Sequence, residues 1–475
     1  MESWTWTFWI FVASEWIIRI VMLIYVPHRR SPGAARSWLL LIMFEPFVGL
    51  VVYWIFGRAY LPQWRIELQQ QASQIIRTHG QDFFGRHAAH PKLPADFVQA
   101  VKLAENLGDF GILGGNRLEL LSDYEKSIDC LIEDIRAAKQ HAHLLYYIFA
   151  DDRTGRRVAD ALVEAARRGV TCRVLLDSVG SGPAIRSLGP SMRDAGIEVV
   201  ETLPVRFFRP HRARLDLRNH RKIAVIDGRV AYVGSQNIVD PDFKKGFVYK
   251  ELVARVTGPV ALQFQAIFLT DHYLETQTPD YEEALFPEPI PVATTVAQAL
   301  PSGPGYRYAN NQRLIVALLH AARHRVVITT PYFIPDEALL QAIQTAVLRG
   351  VDVRLVVSHN ADQILVGLAQ RSFYEELLEG GVRIHEYLPG LLHAKHVSID
   401  DSVALIGSSN LDIRSFALNA EISLIVYDPQ VVAELRREQE ANMADSQPLT
   451  AEQWAKRSRA VKILQNTARL VDSVL

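Results

Sequence analysis

The sequence has very few cysteines and almost no net charge. Cys130 and Cys172 are its two cysteines in 475 residues, so neither a disulfide framework nor a zinc-type Cys/His cluster is indicated. Lys and Arg number 51 against 52 Asp and Glu, a formal net charge of −1. This balance lacks the basic excess typical of nucleic-acid-binding proteins. We therefore expect no metal site and no nucleic-acid partner.

One pattern of polar and glycine residues is present and occurs twice. Each copy reads H-x-K-x4-D-x6-G-S-x-N, and all equivalent positions are separated by one fixed offset. The paired positions are His220 and His393, Lys222 and Lys395, Asp227 and Asp400, Ser235 and Ser408, and Asn237 and Asn410. Such a match at one offset indicates an internal duplication.

The residues around each copy predict a β-hairpin. Apolar, mostly β-branched runs precede and follow the Asp of each copy, as in two short strands joined by a tight turn. Alternate side chains share one face of a strand, so the His and Lys of a copy project together.

Pairing the two copies suggests a chemistry. If they pack about a pseudo-twofold axis, their His, Lys, Asn and Ser side chains converge on one pocket that suits a phosphate group. One histidine could then attack phosphorus while the other acts as general acid. Asp227 and Asp400 could orient a catalytic imidazole, and the sequence leaves open which half supplies that carboxylate.

Helix and strand signals alternate before each copy. The first half has the order strand 143–150, helix 156–168 and strand 170–176, and the second has strand 325–330, a helix ending at 349 and strand 351–357. A β-α-β order predicts a parallel α/β unit in each half. Pro-rich sequence near 276–300 interrupts the pattern and marks the join between the halves.

Long hydrophobic runs are confined to the N-terminus. Residues 4–26 and 38–57 are each long enough to cross a hydrocarbon core of about 30 Å, which predicts a transmembrane hairpin. An amphipathic or buried hairpin is the alternative. Glu15 and Arg19 lie four residues apart and could pair on one helical face. Arginines lie both between the spans and after the second one, so the side of the membrane stays open.

These motifs identify a family resemblance. The doubled H-x-K-x4-D with G-S-x-N resembles the phospholipase D superfamily, whose members form a phosphohistidine intermediate without a metal. Further stretches at 146–152, 218–220, 330–336 and 412–416 resemble bacterial cardiolipin synthases, and the resemblance spans nearly the whole chain. The chain departs from the family pattern at Ser235, where a second glycine is frequent, and at Glu251, where Asp is common.

The resemblance implies a fold and a location. The fold is α/β, with two phospholipase D-like α/β/α repeats that share one active site and follow an N-terminal transmembrane helical hairpin. The implied domains are two transmembrane helices at 1–58, an amphipathic linker at 59–110, the first repeat at 111–276, a linker at 277–300, and the second repeat with a C-terminal helix at 301–475. The implied location is the bacterial cytoplasmic membrane, with more than one pass.

The resemblance also implies an activity and roles for residues. Two phosphatidylglycerols would give cardiolipin and glycerol with no cofactor. His220 would be the nucleophile and His393 the general acid and base. Lys222, Lys395, Ser235, Ser408, Asn237 and Asn410 would bind the phosphate, Asp227 and Asp400 would support the site electrostatically, and Glu251 and Glu421 would bind substrate or hydrogen-bond the opposite His. Glu251 and Glu421 could equally be ordinary acids at strand ends.

Several alternatives stay open at this point. A membrane-anchored phospholipase D hydrolase uses the same residues, and so does a phosphatidyltransferase with another donor or acceptor lipid, such as phosphatidylethanolamine. A tethered nuclease should show a basic, aromatic-lined groove in its composition. A catalytically inactive lipid-binding scaffold is disfavoured by the intact His, Lys and Asp positions. The expected partners are phosphatidylglycerol, cardiolipin and the lipid bilayer, with a homodimer possible.

Overall fold

The protein is described by a computed structural model that covers residues 2–30, 32–57, 61–205, 216–279 and 283–470. The chain forms two compact units. One contains residues 1–63 and 205–217, and the other contains residues 64–204 and 218–475. The first unit holds the apolar N-terminal helices, and the second holds both copies of the repeated motif.

The described residues contain strands and helices in mixed order. The strands are β1 Leu113–Leu121, β2 His141–Tyr146, β3 Thr171–Asp177, β4 Glu198–Thr202, β5 Lys222–Ile226, β6 Val230–Gly234, β7 Tyr249–Lys250, β8 Val253–Thr257, β9 Thr295–Ser302, β10 Arg325–Thr329, β11 Phe333–Ile334, β12 Asp352–Ser358, β13 Arg383–Tyr387, β14 Leu391–Leu392, β15 His396–Ile399, β16 Val403–Gly407, β17 Leu411–Asp412, β18 Glu421–Val426 and β19 Ser446–Leu449. The helices are α1 Glu2–Arg29, α2 Pro32–Phe44, α3 Pro46–Val52, α4 Gln63–Phe84, α5 Val98–Leu107, α6 Tyr124–Ala137, α7 Arg153–Arg167, α8 Gly182–Ser187, α9 Gly189–Asp194, α10 Ala261–Thr276, α11 Asn310–Ala321, α12 Glu337–Leu348, α13 Ile364–Ser372, α14 Tyr374–Glu379, α15 Ile413–Ala417, α16 Pro429–Ala444, α17 Ala451–Ala455 and α18 Arg459–Arg469.

Fifteen strands form one sheet, and its two halves have equivalent strand orders on either side of the centre. From the centre outward, the first half runs β1-β8-β6-β5-β2-β3-β4 and the second runs β9-β18-β16-β15-β10-β12-β13, with β19 at the outer edge. The halves join through the antiparallel pair β1 and β9. This order is what a duplicated unit gives when two copies associate about a twofold axis. The predicted α/β fold with two repeats is confirmed.

The helices of the two β-α-β units have sequence signals at both ends. Strands β2 and β3 are parallel, as are β10 and β12, and their connecting helices are α7 and α12. Asp152 and Asp336 cap these helices at the N-terminus. Gly169 and Gly350 follow the C-terminal ends in the left-handed conformation, with φ of 91° and 86°. Strand β9 begins at Thr295, inside the stretch predicted as a linker.

Among the described residues of the N-terminal unit, one helix is long and apolar enough to cross a membrane by itself. Residues Trp6–Arg29 of α1 form a 24-residue segment that contains an 18-residue stretch with a mean hydropathy of 1.9. At about 1.5 Å per residue the length of the segment exceeds a bilayer core of about 30 Å. Arg19 pairs with Glu15 on this helix at 3.1 Å, as the spacing predicts. The apolar helix indicates membrane association.

The second predicted span, 38–57, is not a single helix. It is divided between α2 and α3, which meet at Glu45, where φ is −130° and ψ is 81°. Pro46 causes the break, because proline disfavours helical geometry at the preceding residue and has no N–H to donate. Arg19 donates to the carbonyl of Met43 beside the break at 3.1 Å.

Helix α4 lies where the sequence predicts an amphipathic helix, and it packs on the rest of the second unit through polar contacts. Arg65 forms a bidentate pair with Glu275 of α10, at 2.9 and 2.6 Å. Ser73 and Arg77 both contact Asp109, at 2.8 and 3.2 Å. These contacts fix the start of the linker to the body of the protein.

A buried ion pair lies near the centre of the sheet. Arg221 directly follows the first motif histidine, and its guanidinium contacts both carboxylate oxygens of Asp271 in α10, one of them at 2.6 Å. The same guanidinium donates to the backbone carbonyl of Glu421 in the other repeat at 3.0 Å. Both side chains are almost fully buried, so each charge depends on the other for compensation.

We expect Asp271→Asn to lower the free energy of unfolding by about 3 to 5 kcal/mol, because it leaves the Arg221 charge buried without a counter-charge. Chemical denaturation of the detergent-solubilised protein measures this. Glu164→Gln, which removes an ion pair with Arg136 whose partners are both about half exposed, is the matched control and should cause no measurable change. Equal effects of the two substitutions would contradict the assignment.

Candidate active site

The two motif histidines lie just before the first strand of each hairpin. Strand β5 begins at Lys222 and β15 begins at His396, so His220 and His393 belong to the irregular segments that precede the strands. Each hairpin is antiparallel, β5 with β6 and β15 with β16. The sequence prediction of a hairpin is correct, although the histidines lie outside the strands.

Backbone hydrogen bonds join each histidine segment to the opposite repeat. The N–H of His220 donates to the carbonyl of Ala420 at 2.9 Å, and the N–H of His393 donates to the carbonyl of Lys250 at 2.8 Å. Ala420 and Lys250 are the residues immediately before Glu421 and Glu251. The backbone therefore places a carboxylate of one repeat beside the imidazole of the other.

Each imidazole is held by that carboxylate. Nδ1 of His220 lies 2.9 Å from Oε1 of Glu421, and Nδ1 of His393 lies 2.7 Å from Oε1 of Glu251. A carboxylate at Nδ1 fixes the tautomer with the proton on that nitrogen, which leaves the Nε2 lone pair for chemistry. These are the contacts expected from the sequence for the two glutamates, whose function stays a prediction.

The two motif lysines lie buried beside the histidines. Each ammonium donates to the backbone carbonyl of its own motif histidine, Lys222 to His220 at 2.6 Å and Lys395 to His393. Burial lowers the pKa of Lys222 to about 7 and that of Lys395 to about 8, although both glutamates oppose this shift. The two ammonium groups therefore lie close to both imidazoles, and burial eases the loss of their protons near neutral pH.

The serines and asparagines of the motif divide into two groups. Asn237 and Asn410 line the pocket, and within the described part of the chain Oδ1 of Asn410 has no hydrogen-bond partner. Ser408 instead donates to Glu421, and Ser235 donates to the carbonyl of Leu252 at 3.2 Å. The serines therefore position the acidic segments and do not line the pocket, which differs from their predicted role as phosphate ligands.

The motif aspartates are not part of the pocket. The carboxylate of Asp227 accepts three backbone N–H groups, from residues 139–141, and that of Asp400 accepts three from residues 323–325, all at 2.8 to 2.9 Å. Both residues have positive φ, 51° and 49°, at the far end of the hairpin strand. Five strand residues separate Asp227 from the histidine side of the strand, about 16 Å at roughly 3.3 Å each. The carboxylates that contact the imidazoles are those of Glu421 and Glu251, and the aspartates accept the backbone hydrogen bonds at the hairpin turns.

The two imidazole–carboxylate pairs differ electrostatically. Burial, followed by the charges of both lysines, lowers the pKa of His220 well below its usual value. Burial also lowers the pKa of His393, but there the Glu251 charge opposes it. Burial raises the pKa of Glu421 to about 7, whereas His393 holds the pKa of Glu251 below its usual value against the effect of burial. The His220 imidazole therefore resists protonation more than that of His393. The carboxylate paired with His393 is in turn more readily ionised than the one paired with His220.

The pocket between the repeats has a volume of about 510 Å³. It also contains residues that the motifs do not predict: Tyr147, Arg218, Tyr249, Tyr332, Asp362, Gln363, Asp412, Arg414 and Asn419. The rings of Tyr147 and Tyr249 lie edge-on to His220 and His393, at 5.0 and 5.4 Å. Some of these residues belong to the stretches that resemble known synthases. Tyr249 in the short strand β7, and Asp362 and Gln363 in the loop after β12, have no recognisable signal in the sequence. Among the described residues, no three His, Cys, Asp or Glu side chains are grouped as metal ligands would be.

Comparison with known proteins gives consistent matches over the chain. A family model described as a cardiolipin synthase, phospholipase D-like domain matches residues 131–271 and 315–443, and one described as phospholipase D-nuclease N-terminal matches residues 15–58. The chain is 37% identical to cardiolipin synthase A of Pectobacterium carotovorum, over 96% of both chains. It is 35% identical to cardiolipin synthase A of Proteus mirabilis, over 96% of this chain and 95% of the relative.

A solved structure supports the fold. The chain superimposes on the phosphatidylserine synthase of Haemophilus influenzae with a TM-score of 0.60, which covers 79% of this chain and all of the other, at 16% sequence identity. At that identity the likeness concerns the fold and not the substrate.

We expect Asp227→Ala to lower the free energy of unfolding by about 2 kcal/mol, because three backbone donors lose a charged acceptor. Asp401→Ala, which changes an exposed carboxylate beside the equivalent turn in the second repeat, is the control and should have no measurable effect. Denaturation in detergent measures both. If Asp227→Ala abolished turnover while unfolding at the same denaturant concentration as the wild type, the aspartate would act in catalysis instead.

The lysine pKa values predict a pH dependence. We expect their charged forms to bind the phosphodiester. Both are fully charged only below about pH 6, so kcat/KM should fall as the pH rises through 7 to 8. A lysine of ordinary pKa would keep kcat/KM constant to about pH 9. A pH profile measured with a lipid whose phosphodiester stays ionised tests this, and a flat profile between pH 6 and 9 would contradict it.

Proposed function

The chain belongs to the cardiolipin synthase family of phospholipase D-like phosphatidyltransferases, and we propose that it joins two phosphatidylglycerols through a phosphatidyl-His220 intermediate. The observation that carries this proposal is the pair of imidazoles at one pocket, each held at Nδ1 by a glutamate of the opposite repeat, with a buried lysine bonded to the backbone carbonyl of each histidine. The family acts on phospholipids, and phosphatidylglycerol as both donor and acceptor is our proposal.

In the first step, Nε2 of His220 attacks the phosphorus of the donor lipid. The P–O bond to glycerol breaks, and the departing oxygen takes a proton from Nε2 of His393. The strongly lowered pKa of His220 supports its role as nucleophile, because a neutral imidazole keeps the lone pair that must attack. The anionic Glu251 supports His393 as the proton carrier, since it stabilises an imidazolium.

In the second step, His393 acts as the base. It takes the proton from a glycerol hydroxyl of the second phosphatidylglycerol, whose oxygen then attacks phosphorus and breaks the P–N bond to His220. Lys222, Lys395, Asn237 and Asn410 hold the phosphate oxygens in both steps, and the two lysines offset the charge that develops on them. The cycle returns the protein to its starting state and releases one glycerol for each cardiolipin.

The membrane segment fits lipid substrates. We propose that α1 and the broken pair of α2 and α3 cross the cytoplasmic membrane as a hairpin, although α1 alone is long enough to span it as a single helix. A proline break is compatible with a membrane span where a neighbouring side chain satisfies the freed carbonyls, as Arg19 does at Met43. The domain limits and the homodimer expected from the sequence stay predictions.

The direct test is turnover of phosphatidylglycerol as the sole lipid in liposomes. We expect cardiolipin and glycerol in equal amounts, and we expect His220→Ala and His393→Ala each to lower the rate by at least about 10²-fold. His320→Ala, a substitution at an exposed site on α11, is the matched control and should retain the wild-type rate.

Two results would contradict the proposal. Phosphatidic acid in place of cardiolipin would identify a hydrolase. Cardiolipin formation that survives either active-site histidine substitution would exclude the shared site as the place of the reaction.

A further inference from the structure

The two sides of the pocket carry different groups although the motifs match. Arg218 and Arg414 line it, and at the fixed offset between the copies their counterparts are Leu391 and Pro241. Burial lowers the pKa of His220, and the charges of both lysines, His393 and Arg414 lower it further. The guanidinium of Arg414 therefore acts on the His220 side of the pocket. The cationic side of the pocket is therefore the side of the proposed nucleophile.

The His393 side is lined by hydrogen-bonding groups around a carboxylate. Asp362 follows β12 in the loop 359–363, whereas the equivalent loop after β3, residues 178–181, contains no acidic residue. Burial and then the Asp362 charge raise the pKa of Tyr249, whose ring lies 5.4 Å from that of His393. Asp362 is thus a feature of the second repeat alone, close to the proposed proton carrier.

Asp362 is held rigidly by groups from both repeats. Tyr332 donates its hydroxyl to Oδ1 at 2.7 Å, and Lys244 of the first repeat donates to Oδ2 at 3.0 Å. The amide of Gln363 donates to the hydroxyl of Tyr332 at 3.4 Å. A carboxylate can accept about four hydrogen bonds, so acceptor capacity is left after these two contacts. Only 9% of the Asp362 side chain is exposed, and it lines the pocket together with Gln363.

The chemistry at His393 defines what this side of the pocket must bind. In the proposed mechanism His393 protonates a departing glycerol and later deprotonates the glycerol of the acceptor, so a glycerol lies beside it in both steps. The remaining hydroxyls of that glycerol are hydrogen-bond donors, for which a carboxylate with free lone pairs is a strong acceptor. The nearby Lys244 ammonium offsets the Asp362 charge, which reduces its attraction for a cationic headgroup.

We propose that Asp362, together with Gln363 and Tyr332, forms a subsite for the free hydroxyls of the glycerol headgroup and so selects polyol headgroups over simple alcohols. This inference rests on the proposed function, because that mechanism places the glycerol beside His393. A buried acceptor built for a hydroxyl discriminates strongly against a substrate that lacks it, since the remaining lone pairs of the carboxylate are then left without a donor.

The test compares two donor lipids with identical acyl chains, phosphatidylglycerol and phosphatidyl-1-propanol, in mixed micelles with the full-length protein. The measured quantity is the ratio of kcat/KM for release of the two alcohols. We expect the wild type to favour phosphatidylglycerol and Asp362→Asn to reduce this ratio by at least about tenfold. Gln363→Leu should reduce it by a smaller factor, and it serves as a second test if Asp362→Asn does not fold.

Lys244→Gln distinguishes headgroup binding from a purely structural role of Asp362 between the repeats. It breaks the ion pair with Asp362 but keeps the carboxylate, so we expect it to retain the wild-type ratio. If Lys244→Gln and Asp362→Asn lowered the ratio equally, Asp362 would be a structural link between the repeats. An unchanged ratio in Asp362→Asn and in Gln363→Leu would also overturn the subsite. Headgroup release can be measured whether the acceptor is a lipid or water, so phosphatidic acid as product would contradict the proposed transferase without affecting this ratio.

Discussion

The hydrogen bond between each motif histidine and a glutamate of the opposite repeat determines how the site is built. His220 is paired with Glu421 and His393 with Glu251, and each pair is reinforced by a backbone hydrogen bond that joins the same two segments. Neither repeat alone contains a complete imidazole–carboxylate pair. Correct association of the two halves of the sheet is therefore a condition for two oriented imidazoles.

Burial gives this arrangement its electrostatic character. Two ammonium groups, two carboxylates and two imidazoles lie within one largely enclosed region, so each protonation state depends on its neighbours. The symmetry of the motif does not extend to the charges, because Arg414 acts on His220 while Asp362 lies on the side of His393. A duplicated scaffold can thus supply two histidines with different tasks, one neutral and nucleophilic and the other paired with a more anionic carboxylate.

Much of this organisation could be predicted from the sequence, and particular residues show where prediction ends. The H-x-K spacing and the β-α-β pattern were sufficient for the paired repeats and for one pocket containing His220 and His393. The role expected for Asp227 does not fit the structure, because a five-residue strand separates it from the histidines, and that distance could have been anticipated from strand geometry. The break between α2 and α3 also has a signal in the sequence, which is the proline at position 46. Asp362 has none, since only the association of distant loops brings it to the pocket.

The most direct measurement is identification of the covalent intermediate. His393→Ala treated with phosphatidyl-p-nitrophenol, whose leaving group needs no general acid, should accumulate phosphatidyl-histidine because no base remains to activate the acceptor. Rapid alkaline quenching followed by peptide mass spectrometry locates the adduct. The account predicts it on the peptide that contains His220, and predicts no adduct in His220→Ala. An adduct on His393 in His220→Ala, with none in His393→Ala, would contradict the assignment of the nucleophile.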